Sequence, residues 1–216
     1  IKGHIEEANL YQYSVEYGSG EEPQTWTLIQ TANDLPAEDL LATWSVAEIP
    51  DGRYTIRITA TDKVDHTAEY LVHVDIDNTP PAIEITSLMD GGFVNGTTEL
   101  IGTVDDIHLE SYELSLASGE QGSSERWTTI GNGTAAVIDG LLWEWGLLPV
   151  DGVYTLRLVA NDKAENNAEL FLKINVDTVS LGQVEGLTAQ AQQAGVLGDV
   201  ELNWNGLSDL DLAGYA

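Results

Sequence analysis

Oxygen-bearing side chains are the chief chemical resource of this sequence. Asp75, Asp77 and Asn78 fall close together, Asp105 and Asp106 are adjacent, and Asp162 stands in the run Asn161-Asp162-Lys163. Carboxylate and carboxamide oxygens are ligands for hard cations, and Ca²⁺ takes about six to eight of them at ~2.3–2.6 Å. If the three segments meet, their oxygens converge and Ca²⁺ binding is the expected chemistry. The same residue types also build Asx turns and solvated acidic caps, so a turn-and-cap reading stands beside the calcium one. Acids recur in equivalent places: Glu6, Glu7 and Asp62 toward one end, and Asp177, Asp209 and Asp211 toward the other.

Other chemistries find no comparable pattern. Thirty-six acidic residues face eight basic ones, for a net charge of −28. Such a surface repels phosphate backbones, so no nucleic-acid partner is expected. It also repels anionic lipid, and no run of about 18 apolar residues predicts membrane insertion of this segment. Cysteine is absent, which removes disulfides, thiolate metal sites and cysteine nucleophiles. There is no GxSxG, Walker loop or HExxH. No catalytic residue is assigned, no cofactor other than Ca²⁺ is expected, and the protein reads as a non-enzyme. His4, His66, His73 and His108 show no ligand spacing and read as surface residues. Carboxylate pairs could hydrolyse glycosides, but nothing places two in one cleft.

The elements that must position these acids are announced by a repeat. DGRYTIRITATDK, Asp51 to Lys63, returns as DGVYTLRLVANDK, Asp151 to Lys163. Upstream, Gly3–Tyr17 matches Gly102–Leu116 in pattern, and Trp26 and Trp44 match Trp127 and Trp145. A unit of about 100 residues is a whole domain rather than a solenoid rung. Within it the period is two. Tyr54, Ile56, Ile58 and Ala60 alternate with polar residues, as do Tyr70, Val72, Val74 and Ile76; Leu170, Leu172, Ile174 and Val176 repeat the second set. That is a hairpin of half-buried strands. Tyr11, Tyr13, Val15 and Tyr17, then Trp26–Ile29, supply further strands, and Ala32–Leu41 offers one short helical turn at Pro36. Gly52 and Gly152 suit turns needing positive φ. Tyr54 and Tyr154 predict a tyrosine corner, and Arg57 and Arg157 predict pairing with carboxylates. The repeated tryptophans read as structural and Trp204 as core. Trp143 either shares a buried face with Trp145 or is set apart by a bulge.

These residues carry a resemblance. Asp-Gly-x-Tyr-Thr followed by Val72-His-Val-Asp-Ile-Asp-Asn-Thr-Pro-Pro81 resembles the bacterial immunoglobulin-like domains of large exported surface proteins. Val184–Ala216 resembles the start of a fibronectin type III domain, with Leu187-Thr-Ala as its first strand, Val200–Trp204 as its second and Leu212–Tyr215 leading into its third. The linker Asp75–Pro81 resembles the cadherin junction signature but is one residue short of it. The resemblance implies an all-β fold of tandem immunoglobulin-like and fibronectin III-like β-sandwiches arranged end to end. The expected divisions are 1–78, a sandwich lacking its first strand; 79–177, a second sandwich; and 178–216, the N-terminal part of a fibronectin type III domain. In that frame the loop between the second and third strands and the loop of the final hairpin face the incoming linker, bringing Asp105, Asp106 and Asp162 toward Asp75, Asp77 and Asn78.

The function implied is a non-catalytic spacer or stalk in an exported bacterial surface or secreted protein, adhesive in some contexts and stiffened by Ca²⁺ at its junctions. Ile1 is not a natural start, so the sequence is expected to be part of a longer chain. Its expected partners are neighbouring domains of the same chain, with surface polysaccharide or another protein as external ligands. The expected location is extracellular or on the cell surface. Two alternatives stay open: a carbohydrate- or protein-binding accessory module of a secreted enzyme or toxin, and a building block of a surface layer or filament.

Overall fold

The computed structural model describes residues 1–35, 39–120, 126–180, 185–192 and 199–205. Among the described residues the regular structure is β throughout, with no α-helix. The two-residue alternation therefore decides the fold, as expected for short amphipathic strands separated by Gly, Asn and Asp turns. Strands β1 (Leu10–Ser19), β2 (Thr27–Ala32), β3 (Gly52–Asp62) and β4 (Thr67–Ile76) form one sheet in the order β2-β1-β3-β4.

A second unit follows with β5 (Ala82–Ile85), β6 (Gly92–Val94), β7 (Thr98–Asp105), β8 (Leu109–Ser118), β9 (Thr128–Gly133), β10 (Val137–Trp145), β11 (Gly152–Asp162) and β12 (Asn167–Val176). These make two facing layers, β10-β7-β5 and β6-β12-β11-β8-β9. All neighbours are antiparallel except β6, which runs parallel to β12. β13 (Thr188–Gln192) and β14 (Asp199–Asn203) pair only with each other. The chain is thus all-β with immunoglobulin-like sheets.

The repeated phrase builds the same hairpin twice. β3 pairs with β4 from Gly52↔Ile76 to Thr61↔Thr67, and β11 pairs with β12 from Gly152↔Val176 to Asn161↔Asn167. Gly52 and Gly152 take φ of +143° and +155°, a region closed to most side chains. The Tyr54 hydroxyl donates to the Pro50 carbonyl at 2.9 Å and the Tyr154 hydroxyl to that of Val150 at 2.8 Å, which completes both tyrosine corners. Tyr13 and Tyr112 also match, donating to the carbonyls of Leu41 and Leu142. Arg57 donates from Nε and Nη2 to Glu16 at 3.0 and 2.8 Å and lies over the Trp26 ring. Arg157 lies over Trp127, with Glu113 3.9 Å away.

The second unit has the fuller core. Leu100, Val104, Leu114, Leu156, Leu158, Ala160 and Ile174 are wholly buried between its layers. In the first unit, among the described residues, a Lys2↔Leu40 bridge lies opposite the sheet, and Leu41 and Ala42 pack on Tyr13, Val15 and Ile56.

Several side chains depart from the sequence reading. Tyr70 and Val72, expected to face inward, are 67% and 39% exposed, because β4 is the edge of its sheet and little of a second layer covers it. Tyr11 is exposed because the β1–β3 register shifts between Leu10 and Gln12. Trp143 and Trp145 do not share a buried face: Trp145 is buried and Trp143 half-exposed, although the β10–β7 register is continuous from one to the other and shifts before both, between Leu141 and Trp143. Trp204 is 40% exposed rather than core, since β13–β14 carries no facing sheet among the described residues. Those two strands, read from sequence as the first and second of a fibronectin type III domain, pair with each other. Leu212–Tyr215, Asp209, Asp211 and Pro36 lie outside the described residues.

Candidate functional site at the repeat junction

The chain leaves β4 at Ile76 and enters β5 at Ala82, so Asp77–Pro81 is the whole linker. Two turns of the second unit face it. One joins β7 to β8 through Asp106, Ile107 and His108; the other joins β11 to β12 through Lys163–Asn166. Each turn is locked by its own aspartate. Asp106 Oδ1 accepts the His108 N–H at 2.6 Å, and Asp162 accepts the N–H groups of Ala164 and Asn166 at 2.8 and 2.9 Å. Asp162 is 1% exposed, and its second oxygen accepts the Asn166 side-chain amide at 2.8 Å. The turns are tied together where the Lys163 N–H meets the His108 carbonyl at 3.0 Å.

The linker is held on both sides. Asp77 belongs to the second unit: its Oδ2 accepts from His108 Nδ1 at 2.7 Å, and its carbonyl accepts from Asn166 Nδ2 at 3.0 Å. Asn78 belongs to the first. Its N–H donates to Asp51 Oδ1 at 2.8 Å, and its side-chain amide reaches the carbonyls of Val46 and Ile49 at 3.2 and 3.0 Å. The Thr79 hydroxyl adds a short hydrogen bond to Asp51 Oδ2. Thr178 makes the equivalent bonds to Asp151 at 2.9 and 2.7 Å. The aspartate of each Asp-Gly-x-Tyr phrase therefore fastens the chain leaving its unit.

Electrostatics follow this geometry. The hydrogen bond to Asp77 holds the His108 imidazole above its ordinary pKa, and the charges of Asp77, Asp106 and Asp75 act in the same direction. The hydrogen bonds from Thr79 and Asn78 pull Asp51 below the usual carboxylate value, as those from Thr178 do for Asp151.

Of the six residues read from sequence, Asp77 and Asp106 come together, joined by His108, with one ligand atom from each lying within 4.8 Å of the others. Asp162 reaches Asp77 only through Asn166. Asp75 sits on β4 in an ion pair with Arg53 at 2.9 Å. Asn78 turns to the first unit, and Asp105 ends β7 in exposed register with Ala82. A pair of carboxylates with an imidazole is a mixed oxygen and nitrogen set, less oxygen-rich than the shell Ca²⁺ prefers. His108 and Asn166 were missed. They occupy the places of Asn9 and His66 in the first copy, and that exchange within well-matched flanks was the available signal.

The linker, the β7–β8 turn and the strands around them lie inside one recognisable stretch. Residues 38–125 match the bacterial Ig-like domain, group 3. The bacterial Ig-like match runs from the later strands of the first unit into the early strands of the second, so its phase differs from that of the sheets. Among curated proteins none matches the chain. Solved structures similar to it include the fibronectin(III)-like modules of CbhA from Clostridium thermocellum, at 15% identity and TM-score 0.40, covering 80% of this chain and 82% of that one. A tetra-tandem repeat in the extending region of a large adhesion protein is 16% identical with TM-score 0.40, covering 90% of this chain and 55% of the other. Latent PorU from Porphyromonas gingivalis is 15% identical with TM-score 0.36, covering 91% and 22%. The chain thus spans about half the length of the second and under a quarter of the third. Among the described residues no helix is long and apolar enough to cross a membrane.

Proposed function

We propose that the chain is a non-catalytic spacer of an exported bacterial surface or secreted protein, and that its linker sets the direction of one sandwich relative to the next. The observation that carries this reading is the split loyalty of two adjacent residues: Asn78 is bonded to the first unit and Asp77 to the second. A linker bonded on both sides leaves few soft dihedrals, so reach is preserved along the chain. The acidic surface opposes adhesion between copies, which suits a spacer at high local density. Residual dipolar couplings on the 216-residue chain test it. A shared alignment tensor for both units supports the reading, and independent tensors in the unaltered protein overturn it.

Calcium at this junction is a second reading, favoured by the approach of Asp77, Asp106 and His108. In that state His108 gives up its bond to Asp77, and carboxylate and carbonyl oxygens take its place around the ion. A sugar-binding platform draws less support, because the faces of Trp26 and Trp127 carry the guanidinium groups of Arg57 and Arg157 at 4.0 and 4.4 Å.

A further inference from the structure

The sequence writes Asn-Gly-Thr twice, as Asn95–Thr97 and Asn132–Thr134. Asn-Gly is especially prone to react with itself. Glycine leaves its own amide nitrogen unshielded and the backbone free to turn, so that nitrogen can attack the asparagine side-chain carbonyl. Attack needs a near-attack geometry, with nitrogen about 3–3.5 Å from the carbon. Identical tripeptides should react alike, so a difference between the two sites comes from the fold. A third pair, Asn205–Gly206, extends outside the described residues. The Asp-Gly pairs are slower candidates, since a carboxylate is a poorer electrophile than an amide.

The fold separates the two sites. Asn132 and Gly133 lie inside β9, in register with Glu113 and Tyr112 of β8. A Cβ on Gly133 would lie 2.5 Å from the Tyr112 ring, which is itself fixed by its hydroxyl bond to the Leu142 carbonyl. Turning Asn132 toward attack would break the pairing with β8 and press on that ring. Asn95 and Gly96 stand outside the strands, between the end of β6 at Val94 and the start of β7 at Thr98. Asn95 is exposed, and a Cβ on Gly96 would meet nothing within 4 Å. Among the described residues no acceptor holds the Gly96 N–H and no partner holds the Asn95 side-chain amide.

We propose that Asn95 is a self-modification site, converting to isoaspartate with water as its co-reactant, and that the product loosens β6 from β12. The Gly96 nitrogen loses its proton to hydroxide and attacks Asn95 Cγ. The N–Cγ bond forms, the Cγ–Nδ2 bond breaks, and ammonia leaves with a proton from water. Water then opens the cyclic imide at one of its two carbonyls. Opening at Cγ gives aspartate. Opening at the backbone carbonyl leaves the chain running through Cβ and Cγ, which is isoaspartate. Nothing is oxidised or reduced. The extra backbone carbon falls one residue past Val94, which pairs with Val176 and whose carbonyl accepts the Asp177 N–H at 3.0 Å. β6 is three residues long, so displacing its end leaves little of the parallel pairing. Each conversion also adds a negative charge to a chain already at −28.

The 216-residue chain is aged in mildly alkaline buffer, folded and in urea. Its peptides are then read by mass spectrometry with fragmentation that distinguishes isoaspartate from aspartate. In the folded chain Asn95 should convert at least about tenfold faster than Asn132, at a rate rising in proportion to hydroxide. In urea the two rates should converge. Gly96→Ala, whose Cβ has room, should slow conversion of Asn95 at least about tenfold and leave the melting of the second unit unchanged. Amide exchange at Asp177 should quicken in the isoaspartate form and not in Asn95→Asp, which carries the charge without the extra backbone carbon. Equal rates at Asn95 and Asn132 in the folded chain overturn the proposal. So does an Asn95 that stays intact in the folded chain while converting in urea. Unchanged exchange at Asp177 in the isoaspartate form overturns the loosening of β6.

Discussion

His108 Nδ1 lies 2.7 Å from Asp77 Oδ2, joining a turn of the second sandwich to the first residue of the linker. A carboxylate only accepts hydrogen bonds, so the imidazole donates from Nδ1. This bond and the Asn166 amide on the Asp77 carbonyl are the polar ties from linker to second unit. Replacing both donors, His108→Ala with Asn166→Ala, should uncouple the alignment tensors of the two units and leave the pairing of β11 with β12 intact. Heteronuclear NMR checks both.

The same bond makes the junction sensitive to pH. The folded-state pKa of His108 is raised, so its contribution is fully present below the unfolded value of about 6.5 and is lost as pH rises through the higher folded value. His4, raised by Asp39 and Glu6, acts in the same direction. The expected outcome is a junction stiffer at pH 5.5 than at pH 8, with the difference reduced in His108→Gln. Dipolar couplings at the two pH values measure it.

Calcium binding has a plain thermodynamic signature. If Ca²⁺ binds the folded junction, millimolar ion should raise the melting temperature and chelator should reverse it, with Asp77→Asn and Asp106→Asn each abolishing the shift. Calorimetry in matched buffers decides the matter, and a melting curve indifferent to ion and chelator removes the calcium reading.

Core substitutions should show the asymmetry of the two units. Leu158 is wholly buried, and Leu158→Ala should cost about 3 kcal/mol, within the range for buried leucines. Ile58, its partly buried counterpart, should cost about half as much on truncation. Tyr154→Phe removes only the corner hydrogen bond and should cost about 1 kcal/mol. Urea unfolding of each variant, followed separately for the two units, gives the three values.

Trp143 and Gly131 form an exchangeable pair. A Cβ on Gly131 would stand 2.4 Å from the Trp143 ring, whereas the first copy has Gln30 and Ala42 in these places. Gly131→Gln alone should destabilise the second unit by about 1–3 kcal/mol through overpacking. Adding Trp143→Ala should recover part of that loss, so the two effects do not sum. A double-mutant cycle by thermal unfolding tests it.

Strands, hairpins and tyrosine corners were legible because they rest on local rules: alternation, turn glycines and the i−4 reach of Tyr54 and Tyr154. Burial of Tyr70 and Val72 was not, since it depends on which neighbour covers β4, a non-local fact. The junction was half legible. Acid positions marked the right turns, but Asp162 spends its oxygens on its own loop and Asp75 on Arg53. Only the three-dimensional arrangement shows that His108 and Asn166, rather than more carboxylates, meet Asp77.

β6 and β12 run side by side in the same direction, one near the start of the second unit and the other at its finish. Tension applied at the two ends of that unit pulls these strands past one another in shear, so their cross-links must fail together rather than peel in turn. Resistance of this kind is governed by the rate of forced unfolding rather than by equilibrium stability.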